Sequence, residues 1–388
     1  MKKKKQYYFK LKEVIILIVI TSIVMVLGTG IVLENKYKNS SSDEVVITDE
    51  NVKNFLAAYQ TLTEKYYEEV DNEDLMSNVI TAMFNYFDDP YTTYLNKNET
   101  TSLIESLSGE YEGIGAKITK DDRGIVILEV LENSSAMEEG LKKDDVILEV
   151  NDENVESKTA YLVSEMIING SSDKVKLTIL RDNEELDFYL TVKTVEIPSI
   201  ETELISDDTA YLYIDSFSLN TSKQVREKVN NYENAGIKNL IIDVRNDTGG
   251  YLSIAEDIAK IFLEKNAIIY SIENKDGLET IRDNTLEASN LNVVVLINGE
   301  SASASEVLAA ALKESYGAIL VGETSYGKGK VQRTEMLDDG SMIKYTTAKW
   351  LTPTGDCIDG VGLIPDYEVT NGTNTDNQLA KAIELLKE

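Results

Sequence analysis

VVVLINGESASASEVLAAAL, residues 293–312, passes from five aliphatic residues through an Asn-Gly-Glu turn into an alanine-rich run. A short apolar stretch, a turn and a helical pattern in that order form one strand-turn-helix step of an α/β fold. Outward from it the step repeats. Strand Tyr211–Ile214 leads to helix Ser222–Asn234, and strand Leu240–Val244 to helix Leu252–Leu263. Strands Ile268–Ile272 and Val293–Ile297 follow, then helix Ser305–Glu314, strand Ile319–Val321 and a hairpin through Asp338-Asp339-Gly340. Residues 196–370 therefore read as one domain of catalytic size, and 371–388 as a segment holding a short amphipathic helix, Asn377–Lys387.

The turn in the opening stretch sets Ser303 just ahead of a helix, where free N–H groups and the helix dipole favour a developing oxyanion. The flanking alanines keep access open. Against this, Ser301, Ser303 and Ser305 are all good helix N-caps, and local sequence alone favours that plainer role. The 388 residues include no histidine, so a serine nucleophile here has to use another base, and lysine is the natural substitute. Lys328, held between Gly327 and Gly329, is the candidate. To act near neutral pH its pKa must drop from about 10.4 to about 7, roughly 4 to 5 kcal/mol of destabilised charge, which demands a desolvated site. An exposed turn lysine is the ordinary alternative. A third element is Asp243-Val244-Arg245-Asn246-Asp247-Thr248-Gly249-Gly250. Paired glycines after a strand can aim backbone N–H groups into a cleft, with the Ala304 N–H supplying the other half of an oxyanion hole; a plain glycine turn is the competing account.

Gly322-Glu323-Thr324-Ser325-Tyr326-Gly327-Lys328 also matches the start of a phosphate-binding loop. Gly329 stands where Ser or Thr should hold magnesium, and no helix pattern follows, so nucleotide binding is disfavoured. With one cysteine, Cys357, the chain has no disulfide and no Cys/His zinc set, and no calcium loop is apparent. Neither metal nor cofactor is expected.

Six lysines fall in residues 1–13, ahead of an uncharged run from Val14 to Leu33 that at helical rise spans roughly 30 Å of hydrocarbon. The lysines set the N-terminus in the cytoplasm and everything after the span outside. A cleavable signal peptide is the alternative, but no Ala-x-Ala site ends the run near Gly28–Gly30. Across the chain 68 Asp and Glu oppose 38 Lys and Arg, so the exterior part is acidic and repels nucleic acid. Residues 34–50 read as a linker and 51–106 as two or three helices forming a cap, their Tyr and Phe residues taken as core. From 107 to 195 the pattern changes to short strands, with Gly113-Ile114-Gly115-Ala116 opening the segment, helices Ser135–Gly140 and Ser157–Ile168, and strands Gly124–Val130, Asp145–Val150, Lys174–Leu180 and Leu186–Val192. That order resembles a PDZ domain, in which such a glycine loop presents N–H groups to a peptide's terminal carboxylate and the peptide adds as a strand beside the helix.

From about Val52 onward the chain resembles the C-terminal processing peptidases, the tail-specific serine proteases. The likeness is carried by DDPYTTYL at 88–95, the PDZ-like segment, DVRNDTGG at 243–250, SASASE at 301–306, GETSYGKGKVQ at 322–332 and WLTPTGDCIDGVGLIPD at 350–366. It implies a membrane-anchored bacterial member with a multidomain α/β fold: transmembrane helix, helical cap, PDZ domain and a protease core of the crotonase/ClpP-like type. By the same likeness Ser303 is the nucleophile, Lys328 the general base, Gln332 the residue orienting that lysine, and Glu306 a supporting carboxylate. The oxyanion donors would be the N–H groups of Ala304 and of Gly249 or Gly250. Substrates would be extracytoplasmic proteins with free, apolar C-termini, and the helices before 108 and after 376 would serve a homodimer. One departure concerns regulation: relatives often carry an arginine where this chain has Asn169, ahead of Gly170, so the switch coupling PDZ and active site is not transferred. A catalytically silent PDZ scaffold that captures C-termini is the alternative from another class.

Overall fold

A computed structural model describes residues 49–170, 174–286 and 288–387. The basic segment and membrane span expected over 1–33, and nearly all of the linker, lie outside the described residues; among those described, no helix is long and apolar enough to cross a membrane. The chain divides into two compact units, one up to Asn78 and one from Val79 onward.

In the first unit, helix α1 (Glu50–Lys65) starts at Asp49, whose Oδ1 accepts the Asn51 N–H at 2.7 Å. Its apolar positions Val52, Phe55, Leu56 and Leu62 are exposed. Helix α2 (Asn72–Asn85) follows and runs across the division, its residues from Val79 onward belonging to the second unit.

In the second unit the end of α2 is followed by strand β1 (Thr93–Leu95) and helix α3 (Lys97–Ser108), whose capping box joins Asn96 and Glu99. The next elements are β2 (Glu110–Gly113), β3 (Ala116–Asp121), β4 (Gly124–Val130), α4 (Ser135–Glu139), β5 (Val146–Val150), β6 (Glu153–Asn154), α5 (Ala160–Ile168), β7 (Val175–Arg181), β8 (Glu184–Leu190) and β9 (Lys193–Glu196). An antiparallel sheet in the order β3-β4-β5-β7-β8 packs Ile125, Ile127, Ile147, Leu177 and Ile179 against Val163 and Ile167 of α5. Both helices are capped where the sequence offers an oxygen: Ser134 accepts the Met137 N–H and Thr159 the Leu162 N–H. Strands β2 and β9, at the two ends of this segment, pair with each other.

Beyond it come β10 (Ile200–Leu204), β11 (Thr209–Ile214), α6 (Thr221–Asn234), β12 (Asn239–Asp243), α7 (Leu252–Phe262), β13 (Ile268–Asn274), β14 (Gly277–Arg282), β15 (Asn292–Ile297), α8 (Ala304–Ala311), β16 (Ile319–Gly322), β17 (Lys330–Met336), β18 (Met342–Leu351), β19 (Tyr367–Glu368) and α9 (Asn377–Leu385). One sheet runs β10-β11-β12-β15-β16-β19, parallel from β11 to β19. Alternate residues of β15 point to opposite faces: Val293, Val295 and Ile297 meet α6, α7 and α8, while Val294 and Leu296 meet α9. Burial on both faces explains why these strands read as unbroken apolar runs. A second sheet, β1-β18-β13-β14 with β17 on β18, is antiparallel.

Three departures from the sequence reading stand out. The segment taken as a purely helical cap also supplies β1, which pairs Thr93 to Leu95 with Lys344 to Met342. Strand β14 went unread because its residues are almost all exposed and its sequence, GLETIR, carries no core face. The helix expected over Ser305–Glu314 is α-helical only to Ala311 and then widens into a π-helical turn, Leu312–Tyr316. There Tyr316 donates its hydroxyl to the Leu291 carbonyl at 2.6 Å and Ser315 to that of Ile268 at 2.6 Å, tertiary bonds that local periodicity does not encode.

Candidate active site

Ser303 ends the turn between β15 and α8 with φ 58° and ψ −115°, a conformation L residues avoid. Such backbone strain persists only where the surroundings over-determine it, and here they do. Ser301, fully buried, donates its hydroxyl to the Val244 carbonyl at 2.7 Å, and Ser305, also fully buried, donates to the Asp247 carbonyl at 2.9 Å. The Ala302 N–H donates to that same carbonyl at 3.0 Å. Two of the three serines are thus committed to the loop after β12, and Ser303 between them is the partly exposed one. Every residue of α8 is buried, and four of its eight are alanine: the helix passes through the core with neighbours on every face.

Glu306, fully buried, organises what surrounds the turn. One carboxylate oxygen accepts the N–H of Ser303 at 2.8 Å and the N–H of Lys328 at 2.9 Å. The other accepts the Gly327 N–H at 2.6 Å and the Ser325 hydroxyl at 2.6 Å. Because Oε2 lies within 2.9 Å of both, the backbone nitrogens of Ser303 and Lys328 are less than about 6 Å apart. Sequence reasoning brought the two motifs together but gave Glu306 only a supporting place.

Lys328 is no exposed turn lysine. Burial pushes its ammonium pKa below the ordinary value, the charge of Lys344 pushes it further, and Glu306 opposes both. Its carbonyl accepts the Trp350 indole N–H at 2.8 Å. The glycines on either side are needed because the Asp359–Gly362 loop packs directly on them: a Cβ at Gly327, where φ is +84°, would sit 2.8 Å from the Gly362 nitrogen, and one at Gly329 would sit 2.7 Å from Asp359 Cβ. Strand β17, and not a helix, follows, in keeping with the case against a phosphate loop.

Tyr91 was missed when the aromatic residues of the N-terminal segment were assigned to core. Its ring centroid lies 5.0 Å from Lys328 Nζ, and burial together with its contact to Tyr326 pushes the phenol up to about 12. Asp89 anchors this stretch. Burial works to raise its pKa, yet hydrogen bonds from Thr346 and Thr92 and the Lys330 ammonium 3.3 Å away hold it at about 2. The position of DDPY ahead of β1 was the available signal. Gln332 sits on β17, and its amide donates to Thr346 Oγ1 at 3.5 Å.

The paired glycines differ from each other. The Gly249 N–H turns back onto Asp247 Oδ1 at 2.8 Å, and its carbonyl accepts the Phe217 N–H at 3.1 Å. A Cβ at Gly249, where φ is +100°, would stand 2.7 Å from the Ala302 carbonyl and 2.9 Å from the Ala304 nitrogen, so only glycine lets this loop lie against the Ser303 turn. Asp243 is held by Arg245, which reaches on to Asp376 and Gln378 at the start of α9.

In the first antiparallel body, Gly115 (φ +84°) carries the loop between β2 and β3; a Cβ there would overlap Ser134 Cβ at 2.0 Å. A groove of about 860 Å³ lies beside it, lined by Gly113, Ile114, Ala116 and Ile118 on one side and by Tyr161 and Ile168 on the other, with α3 along its rim. Asn169 closes α5 and bonds within that helix, to Glu165 at 3.1 Å.

Comparison with known proteins identifies the domains that carry these residues. Residues 208–369 match the peptidase family S41 model, 113–192 the PDZ domain, and 25–100 the N-terminal domain of the activating protease CtpB. A solved structure from Bacteroides fragilis, described as an S41 protease, covers 83% of this chain and 91% of its own with a TM-score of 0.50 at 15% identity, a likeness of fold alone. A CtpA-like serine protease of Staphylococcus aureus is 33% identical over 322 residues, 82% of this chain and 65% of that protein. The CtpA-like serine protease of Staphylococcus epidermidis is 33% identical over 353 residues, covering 90% of this chain and 71% of its own length. Identity at that level along nearly the whole chain establishes that the protein belongs to peptidase family S41.

Proposed function

We propose that this protein is a serine endopeptidase working through a Ser303–Lys328 dyad, which captures the C-terminal tails of extracytoplasmic proteins in its PDZ groove and cleaves them. The observation that carries the reading is the single Glu306 oxygen bonded to the backbone of both Ser303 and Lys328. The depressed pKa of Lys328 supports its role as base, since burial disfavours the ammonium and leaves more of the amine able to accept a proton. In the cycle, neutral Lys328 takes the Ser303 hydroxyl proton and Oγ attacks the peptide carbonyl. The lysine then returns the proton to the leaving amine, and water hydrolyses the acyl-enzyme by the same route. N–H groups of Ala304, at the start of α8, and of Gly250 are the oxyanion donors this reading favours, because the Gly249 N–H is occupied by Asp247. Gln332 orients the lysine side chain from β17, and the core is of the crotonase/ClpP-like type.

The glycine loop at Gly113–Ala116 and the apolar groove beside it fit a free, apolar C-terminus. Holding the tail there raises its local concentration at the cleft. The helix expected over 14–33 would anchor the enzyme with its catalytic part outside the cytoplasm, as a homodimer. A silent capture scaffold fits less well, because it has no use for a partly buried lysine with a depressed pKa beside a strained serine. The test uses the full-length chain in detergent with an unfolded protein bearing a free apolar C-terminus, followed by mass spectrometry. Wild type should cleave it, while Ser303→Ala and Lys328→Ala should bind the tail without cleaving. Wild-type rates in either variant would sink the dyad.

A further inference from the structure

Asp247 lies in the loop behind Ser303 and has no part in the dyad. It is 1% exposed, and its Oδ2 is buried without a hydrogen-bond partner. Oδ1 accepts the Gly249 N–H, and the backbone carbonyl accepts from both Ala302 and Ser305. One residue therefore bonds to the glycine pair on one side and to the nucleophile turn on the other. The Ser305 hydroxyl beside the Asp247 side chain favours the carboxylate, but its proton is directed to the Asp247 carbonyl at 2.9 Å, and the burial of Oδ2 without a partner outweighs that help.

The ionisable surroundings point the same way. From β11 and its exit come Tyr213, a phenol kept neutral by burial, and Asp215, whose charge opposes a second one nearby. On the same loop, Arg245 is spent on Asp243 and Asp376. From α8, Glu306 follows Ser305 and is bonded to Ser303, Ser325, Gly327 and Lys328. Among the described residues no cation pairs with Asp247. A buried, unpaired charge is far more costly than an unpaired neutral hydroxyl. Burial accordingly pushes the Asp247 carboxyl up to about 8.

We propose that Asp247 is a positioning residue of the nucleophile turn: as a neutral acid it holds Gly249 and Gly250 against Ala302–Ser305, and on ionising it sets a negative charge beside the oxyanion donors and stops turnover. This rests on the assignment of Ser303 as nucleophile.

The experiment follows kcat of the full-length chain in detergent on one unfolded protein substrate from pH 5.5 to 10, for wild type and Asp247→Asn. Asparagine keeps the shape and the acceptor but has no proton to lose. Wild type should fall at alkaline pH, by roughly 30-fold at 1.5 pH units past the midpoint, and the variant should show no such fall. An alkaline limb that persists in Asp247→Asn, or is missing from wild type, overturns the proposal. Thermal melts of the same two proteins need no turnover. Between about pH 4 and 8 the unfolded chain has released this proton and the folded chain has kept it, so wild-type stability declines with rising pH and the variant's does not. Parallel melting curves overturn the proposal whatever the activity. A wild type that cleaves nothing at any pH, with melts that diverge, sinks the protease reading and leaves Asp247 a buried neutral acid.

Discussion

Replacing Glu306 tests the organisation of the site more severely than replacing either member of the proposed dyad. Its carboxylate receives four donors: the N–H groups of Ser303, Gly327 and Lys328 and the Ser325 hydroxyl, at 2.6 to 2.9 Å. Glu306→Ala leaves all four facing an apolar methyl group. At about 1 to 3 kcal/mol for each orphaned buried donor, and with part returned because no carboxylate need be desolvated, the loss should be about 4 kcal/mol. Glu306→Gln is milder and more informative. The Ser325 hydroxyl can rotate to accept from the new amide, so the glutamine oxygen can keep the Ser303 and Lys328 N–H groups while the Gly327 N–H is orphaned. That outcome costs about 2 kcal/mol in denaturant unfolding and leaves the fold intact.

Catalysis should respond in two ways. A slight loosening of Ser303 against Lys328 should lower kcat about 100-fold, with KM held by the distant tail groove. Glu306 also raises the pKa of Lys328, so removing its charge should move the acid limb of the pH–rate profile to lower pH. The assay is kcat, KM and the acid limb on one tailed substrate, beside urea unfolding. A Glu306→Gln enzyme within threefold of wild-type kcat, with an unmoved acid limb, would refute the view that this carboxylate ties the dyad together.

Two further outcomes follow from the same geometry. Lys344→Gln removes a positive charge that depresses the Lys328 pKa, so the acid limb should shift to higher pH; an unchanged profile would show that burial alone governs the lysine. Gly115→Val forces a Cβ into Ser134 at a left-handed φ, and should cost about 2 to 3 kcal/mol of local stability. Cleavage of long tailed substrates should then fall at least tenfold while short peptides are cut as before, and equal losses on both would detach the groove from tail capture.

The α/β alternation was legible because its strands are buried on both faces and its helices carry periodic apolar stripes. Strand β14 was not, since six nearly exposed residues leave no pattern of burial to read. The absence of histidine points to lysine as the base, while the resemblance to the processing peptidases singles out Ser303 and Lys328, local sequence alone favouring a helix cap for the serines. What sets Ser303 apart from Ser301 and Ser305 is tertiary: the outer two spend their hydroxyls on carbonyls of the Val244–Asp247 loop, 57 and 58 positions away in sequence. Tyr91 was hidden for a similar reason, standing more than 200 residues before the lysine it overlies. The orphaned oxygen of Asp247 is a matter of missing partners, which no motif records.

The pairing of β2 with β9 bears on how the peptide-binding body moves. That body is not a bead threaded after the N-terminal segment and before the protease. Strand β1 belongs to a core sheet, and the chain leaves the core, builds the PDZ domain and returns beside its own exit, so the module is suspended from a closed clasp with two stems. A body held this way can rock about one axis but cannot tumble, and its excursions are confined to a narrow arc. Proteolytic nicking of one stem would widen that arc without releasing the module, which on the proposed function turns a guided delivery of the tail into a loose one.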